Sequence, residues 1–319
     1  MRNRRLSVAL LGTTTALSVV LWAGTASAQP VELSDQQVVA SVDQAADAAG
    51  QQRGIGLETS GASVTKTGAA SVSVSSETGA TVTLTADGTS GTRVVDDTAV
   101  ADVAGATIVS EAMAQDSARQ AISIPDASAP TSYTFTLDVP EGLSTRVAAD
   151  GDVEIFGVAE GVDIVFGSIA APWAKDANGA NVPTSFQVNG NTLTQTVEHN
   201  GGTAYPVTAD PKLTFGTSVY LNLWGSEANA IAYAFNAVAI GGVFVGCSSV
   251  FRTALKAFGP AGRIADGVVG LLCTFGGATA VALLWDALNT TNFNPNACYQ
   301  KDIFDSSTGF YFVPNTNCE

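Results

Sequence analysis

Apolar and polar residues alternate with a period of two along much of the chain between residues 61 and 200. Val72 and Val74, Val82 and Leu84, then Tyr133, Phe135, Leu137 and Val139, then Val153 and Ile155, and finally Val162, Ile164 and Phe166 all alternate with polar neighbours. Successive side chains of a strand point to opposite faces, so this period predicts strands with one dry face and one wet face. Gly, Pro, Asn and Asp punctuate the runs, which is the pattern of an antiparallel, β-sandwich-like domain over 61–212.

The period differs on either side of that region. Upstream, Ser34 and Gln37 have the spacing of a capping box, and Val38, Val42, Ala45 and Ala49 recur at helical spacing until Gly50 and Gly54 interrupt them. Such a short, Ala-rich helix is marginal by itself. Residues 29–60 are therefore read as a helix and linker that either docks on the next domain or frays. Downstream, periodicity gives way to length: 228–251 holds 24 consecutive uncharged residues and 267–285 holds 19. As continuous helices they would extend about 36 and 28 Å, close to the hydrocarbon thickness of a bilayer. Gly242 and Gly246 form a Gly-x-x-x-Gly element in the first run, which lets helices approach closely. The loop expected between the runs holds Arg252, Lys256 and Arg263 with no acid before Asp266, and Gly259-Pro260 supplies a turn. Residues 213–319 are thus expected to form an apolar helical hairpin with a cysteine-closed tail, making the chain α+β.

All four cysteines lie in this last region. Cys247 and Cys273 stand 12 before and 14 after Gly259, facing each other across an antiparallel hairpin. Closing a loop of about 27 residues would contribute roughly 3 to 4 kcal/mol in the chain-entropy model. Cys298 and Cys318 then pair across the tail, where Phe304, Phe310, Tyr311 and Phe312 surround a Ser306-Ser307-Thr308-Gly309 turn. Two other connectivities remain open.

Charge sharpens the division. The 319 residues include 29 acids, 14 bases and one histidine, for a net charge of −15 and a pI near 4.3. Such a chain lacks the clustered Lys and Arg that bind nucleic acid. Arg2, Arg4 and Arg5, an apolar Leu6–Ala23 run and Ala26-Ser27-Ala28 compose a secretory signal over residues 1–28, with cleavage between Ala28 and Gln29. Losing three arginines takes the mature chain to −18. Residues 29–212 carry 23 acids against 7 bases, whereas 213–319 carry 6 against 4. The boundary is placed at Asp210-Pro211, since proline holds its predecessor extended. Export to an oxidising cell envelope or medium accords with an even cysteine count.

Within the β region, Ala171-Pro172-Trp173-Ala174-Lys175-Asp176-Ala177-Asn178-Gly179, then Val182-Pro183-Thr184, Gly190-Asn191-Thr192-Leu193, Gln195, Val197, His199 and Tyr205-Pro206-Val207-Thr208-Ala209-Asp210-Pro211 follow one another. With Ser128-Ala129-Pro130, Tyr133, Phe135 and Asp150-Gly151 upstream, residues 125–212 resemble a module of actinobacterial secreted proteins of unknown function. The resemblance implies an exported β-rich module followed by variable C-terminal regions, and no activity. Read directly, Asn178-Gly179 is a turn, Phe186–Val188 and Leu193–Val197 are strands joined at Asn189-Gly190, and Tyr205-Pro206-Val207 suits an edge strand.

Catalytic chemistry finds little footing. His199, beside Glu198 and Asn200, lacks a marked nucleophile because no Gly-x-Ser-x-Gly elbow occurs, and it is read as a solvated or capping residue. No His-Glu-x-x-His, Cys-x-x-Cys or phosphate-loop lysine is present. Asp150, Asp152 and Glu154, or Asp176, Asn178 and Asn181, have oxygen ligands but lack the full calcium-loop spacing, and are read as turn residues. The expectation is an exported, non-enzymatic protein with no catalytic, cofactor or metal residues, whose hairpin meets a protein partner or a membrane surface. A membrane-inserting form of the bacteriocin or pore-forming kind, an integral hairpin and an unrecognised hydrolase are the alternatives.

Overall fold

The structure, a computed structural model, describes residues 33–51, 61–114 and 116–319; the signal segment and the Ala28–Gln29 junction lie outside them. Helix α1 (Asp35–Ala48) comes first, followed by strands β1 (Ala62–Val64), β2 (Ser71–Ser75) and β3 (Thr81–Ala86). Next come β4 (Ser90–Val95), β5 (Thr98–Val103), β6 (Ala106–Met113), β7 (Ser117–Ile124) and β8 (Ser132–Asp138). The middle of the chain gives β9 (Ser144–Val147), β10 (Val153–Ala159), β11 (Val162–Ile169), β12 (Ala174–Lys175), β13 (Thr184–Asn189), β14 (Thr192–Val197), β15 (Val207–Ala209) and β16 (Lys212–Trp224). Helices α2 (Gly225–Ile240), α3 (Ser249–Lys256), α4 (Gly259–Phe275) and α5 (Gly277–Thr290) precede β17 (Cys298–Asp302) and β18 (Tyr311–Val313).

Among the described residues the strands form two antiparallel sheets. The smaller runs β1-β2-β3-β8-β14-β13. The larger runs β4-β5-β6-β7-β16-β11-β10-β9, with β12 and β15 attached beside β7 and β17-β18 attached beside β16. The alternating residues face inward: Val72, Val74, Val82, Leu84 and Phe135 of the smaller sheet share one apolar cluster with Ile122, Ile155, Ile164 and Phe166 of the larger. Burying such side chains is the main stabilising term, about 1.5 to 3 kcal/mol for each large one.

Helix α1 docks rather than frays. The Ser34 backbone N–H donates to Gln37 Oε1 at 2.9 Å, and Val38 and Val42 pack on Val109 and Ala121 of β6 and β7. Arg93 pins its first turn, donating to Asp35 at 2.7 Å and to Asp102 at 2.8 Å. Burial under this helix explains why β7 shows no alternation, since all eight of its residues are buried. Arg119, on β7, donates from Nε to Glu111 Oε1 at 2.6 Å and from Nη1 to the Gln51 carbonyl at 3.0 Å.

Two expectations change in the β region, where the chain on either side of Asp210-Pro211 belongs to the larger sheet. β15 pairs Ala209 with Ile122 of β7, and β16 continues along the same neighbour with Lys212 opposite Arg119; the proline kinks one path along β7. β15 also pairs with β12, so it is not an edge strand, and Pro206 sits just before it. The hairpin after β13 turns at Gly190-Asn191, one residue later than expected, because Asn189 pairs with Thr192 and Gly190 takes φ +60°.

Candidate functional site

The two apolar runs and the basic segment between them form four helices instead of a two-helix hairpin. Gly241 caps α2 and Gly242 adopts φ +81°, which ends the first run after Ile240. Gly276 and Gly277, the latter at φ +75°, separate α4 from α5 inside the second run. Glycine takes positive φ at no steric cost, so these pairs are natural breaks. Among the described residues no helix is long and apolar enough to cross a membrane. The expected basic loop is helical as well: Arg252 and Lys256 lie on α3, and Arg252 Nε and Lys256 Nζ reach Asp266 of α4 at 2.8 and 3.4 Å.

Each helix has a packed side. Phe235 of α2 meets Phe251 of α3 edge-on at 5.4 Å. Gly262 lets α4 cross α3 closely, since a Cβ there would lie 1.9 Å from the Leu255 carbonyl oxygen. α4 rests on the larger sheet, with Phe275 against Phe166 at 5.1 Å and Leu271 over Gly157. A polar ladder joins α2 to α5: Trp285 Nε1 donates to Asn236 Oδ1 at 3.0 Å, and Asn236 Nδ2 to Asn289 Oδ1 at 2.8 Å.

Both disulfides have the expected pairing. Cys247–Cys273 ties the α2–α3 connection to α4, and Cys298–Cys318 closes the tail. The tail is a β-hairpin that extends the larger sheet, with Tyr299 opposite Leu223 on one side and Phe312 on the other. Asp305 caps its turn by accepting from the Ser307 hydroxyl at 2.5 Å, the Ser307 backbone N–H at 2.8 Å and the Thr308 hydroxyl at 2.9 Å; these bonds, the Ser307 hydroxyl foremost, hold its carboxyl down at about 2.

What the helices leave unburied is concentrated at the α2–α3 connection. Ile240 and Phe244 are each 88% exposed and Val250, on the first turn of α3, is 64% exposed. Val245, between them, is buried, and Ser248 Oγ accepts the Phe251 N–H at 3.1 Å to start α3. The connection is therefore an ordered, disulfide-tied segment that presents large apolar groups outward.

The polar residues singled out in the sequence have structural partners. His199 is buried rather than solvated: Nε2 donates to the Pro130 carbonyl at 3.0 Å, and Nδ1 lies 2.9 Å from the Tyr205 hydroxyl. Both ring nitrogens are thereby engaged away from Glu198 and from any serine. Asp176 Oδ1 accepts from the Asn178 and Ala180 N–H groups at 2.9 Å, and Asn181 accepts from Lys175. Asp150 accepts the Asp152 N–H at 3.1 Å, and Asp152 accepts the Ala171 N–H at 2.7 Å. The Asp176 and Asp150 contacts are turn-forming bonds of short acceptors, and no cluster of metal-ligating residues occurs among the described residues.

In comparisons with known proteins the chain matches no family model and no curated protein, so the resemblance of residues 125–212 rests on its motifs alone.

Proposed function

We propose that this is an exported, non-catalytic binding protein that seats on an anionic lipid surface through the Ile240–Phe244–Val250 tip. The observation that carries the reading is the 88% exposure of Ile240 and Phe244 on a segment fixed by a disulfide. Transferring two such side chains from water to an apolar medium is worth about 3 to 6 kcal/mol in total, enough for reversible attachment and far from permanent insertion. Charge supports a lipid partner. From residue 228 to residue 265 the chain carries Arg252, Lys256 and Arg263 and no acid, in a protein of net charge −15. Arg252 and Lys256 share Asp266, so the exposed Arg263 is the base counted here, and a base near an anionic surface adds about 1 kcal/mol. The two disulfides and the leader-like N-terminus accord with an extracytoplasmic site of action.

Co-sedimentation of the disulfide-intact protein with phosphatidylglycerol-containing vesicles tests this. Binding to anionic vesicles that exceeds binding to phosphatidylcholine alone, and that falls at least ~10-fold in the Ile240→Ser/Phe244→Ser double variant, is the expected result. Equal sedimentation of wild type and variant, or none of either, refutes it.

A further inference from the structure

We propose that the larger sheet carries a saccharide-binding cleft between β10–β11 and the tail hairpin, walled on one side by Tyr220 and Tyr311 and floored by hydroxyl side chains. The cleft has a volume of about 300 Å³, at the small end of ligand sites and suited to a sugar ring.

Two irregularities of the sheet build it. The β10–β11 register shifts between Ile155 and Phe156. On the other side of β11, Gly167 pairs with Phe215 while Val165 pairs with Tyr220, so Gly216–Val219 of β16 bulge opposite Phe166 alone. Bulges of this kind re-aim side chains and recur beside binding sites. Gly216, at φ +83°, packs on Ser76, and Gly167 leaves no room for a side chain, with its Cβ position 2.4 Å from the Thr214 carbonyl oxygen. Val165 and Gly167 line the cleft together with the hydroxyls of Ser168, Thr214 and Ser218.

The walls differ in chemistry. Tyr220, Tyr311 and Gln300 contribute aromatic surface and amide groups, and Asp150, Asp152 and Glu154 contribute carboxylates. Gln300 is fixed, accepting from the Tyr311 hydroxyl at 2.6 Å and donating to Asn222 at 3.0 Å. Glu154 is fixed by Arg146 at 2.7 Å. Burial, with nearby Asp302 and Asp305, raises both phenols above their ordinary value, so they keep their protons.

This combination selects the ligand class. No base lines the cleft, so nothing there matches a phosphate or carboxylate ligand. The hydroxyl and carboxylate lining disfavours an apolar ligand, because polar groups left unpaired on burial are costly. A sugar ring presents an apolar face to a phenol ring and hydroxyls at its edge, which donate to carboxylates and exchange hydrogen bonds with Ser, Thr and Gln.

Isothermal titration of the disulfide-intact protein with cellotriose, chitotriose and maltotriose, with spermidine as the cationic comparison, tests the inference. At least one trisaccharide is expected to saturate with a Kd below ~1 mM. Tyr220→Ala and Tyr311→Ala should each weaken it ~10-fold with an unchanged melting temperature, while Tyr311→Phe, which keeps the ring, retains most of the affinity. No trisaccharide binding at ~10 mM, alanine variants that bind like wild type, or binding of spermidine alone overturns the proposal.

Discussion

Asp210 predicts how stability depends on pH. The residue lies at the β15–β16 kink, fully buried, with Oδ1 accepting the Trp173 N–H at 3.2 Å. Burial pushes its carboxyl up from 3.8 to about 7, against the smaller opposing effects of Trp173 and of the Arg119 charge. The folded state therefore binds the proton more tightly than the unfolded chain. The resulting penalty on folding begins as pH rises past the unfolded value and is complete above about 7. A shift of about three units is worth about 4 kcal/mol at most. Between pH ~5.5 and ~8.5 the change is about 2 kcal/mol, because roughly half of the penalty is already present at the lower pH. Asp210→Asn removes the titration while keeping an oxygen to accept from Trp173. Urea unfolding of both proteins at those two pH values gives the difference directly, since other titrating groups cancel. Wild type is expected to lose about 2 kcal/mol more than the variant as pH rises. Parallel pH profiles for the two proteins would refute the argument.

Two further substitutions probe packing and the tail. Gly262→Ala puts a methyl into the α3–α4 crossing, where the Leu255 carbonyl oxygen stands 1.9 Å from the new Cβ; a loss of about 2 kcal/mol or more in urea unfolding is expected, and a neutral outcome would mean that the helices do not cross this closely. Cys298→Ser/Cys318→Ser opens a loop whose closure contributes about 3 kcal/mol and loosens the hairpin that holds Tyr311. It is expected to weaken trisaccharide binding while leaving vesicle co-sedimentation intact, and equal loss of both would show that the tail supports the helices as well.

Much of the framework is readable from pattern. The alternation at Val72, Leu84, Phe135, Ile155 and Ile164 marks residues that all face the core, because a half-wet strand must alternate. The Ser34–Gln37 spacing and the cysteine positions are equally local signals. Residues 90–124 carry four strands that alternation does not reveal, since β7 is covered on both faces and buries Ser117, Arg119, Gln120 and Ser123 among apolar neighbours. The apolar runs mislead for a different reason: hydropathy measures length without asking where the backbone can turn, and the Gly241-Gly242 and Gly276-Gly277 pairs were the available warning. The cleft had one local signal, the Asp150, Asp152 and Glu154 cluster, which in sequence reads as turn residues. Asp152, Tyr220 and Tyr311 are distant in sequence, and only the bulge in β16 and the return of the tail bring them together.

That return relates the two proposed surfaces. The four helices are inserted between β16 and β17, which are adjacent and paired from Tyr220–Asp302 to Trp224–Cys298. The same two strands carry Tyr220 and Gln300 into the cleft and end where the helices begin and finish. Trp224 Nε1 donates to the Cys318 carbonyl at 3.0 Å, and Gly225 packs so closely that a Cβ would lie 2.0 Å from the Asn294 carbonyl oxygen. Both roots of the helical insertion are thus clamped to the strands that wall the cleft, with no linker long enough to swing. A protein seated through Ile240 and Phe244 consequently holds its cleft at a fixed orientation to that surface, an arrangement suited to a glycan that is itself attached to the envelope.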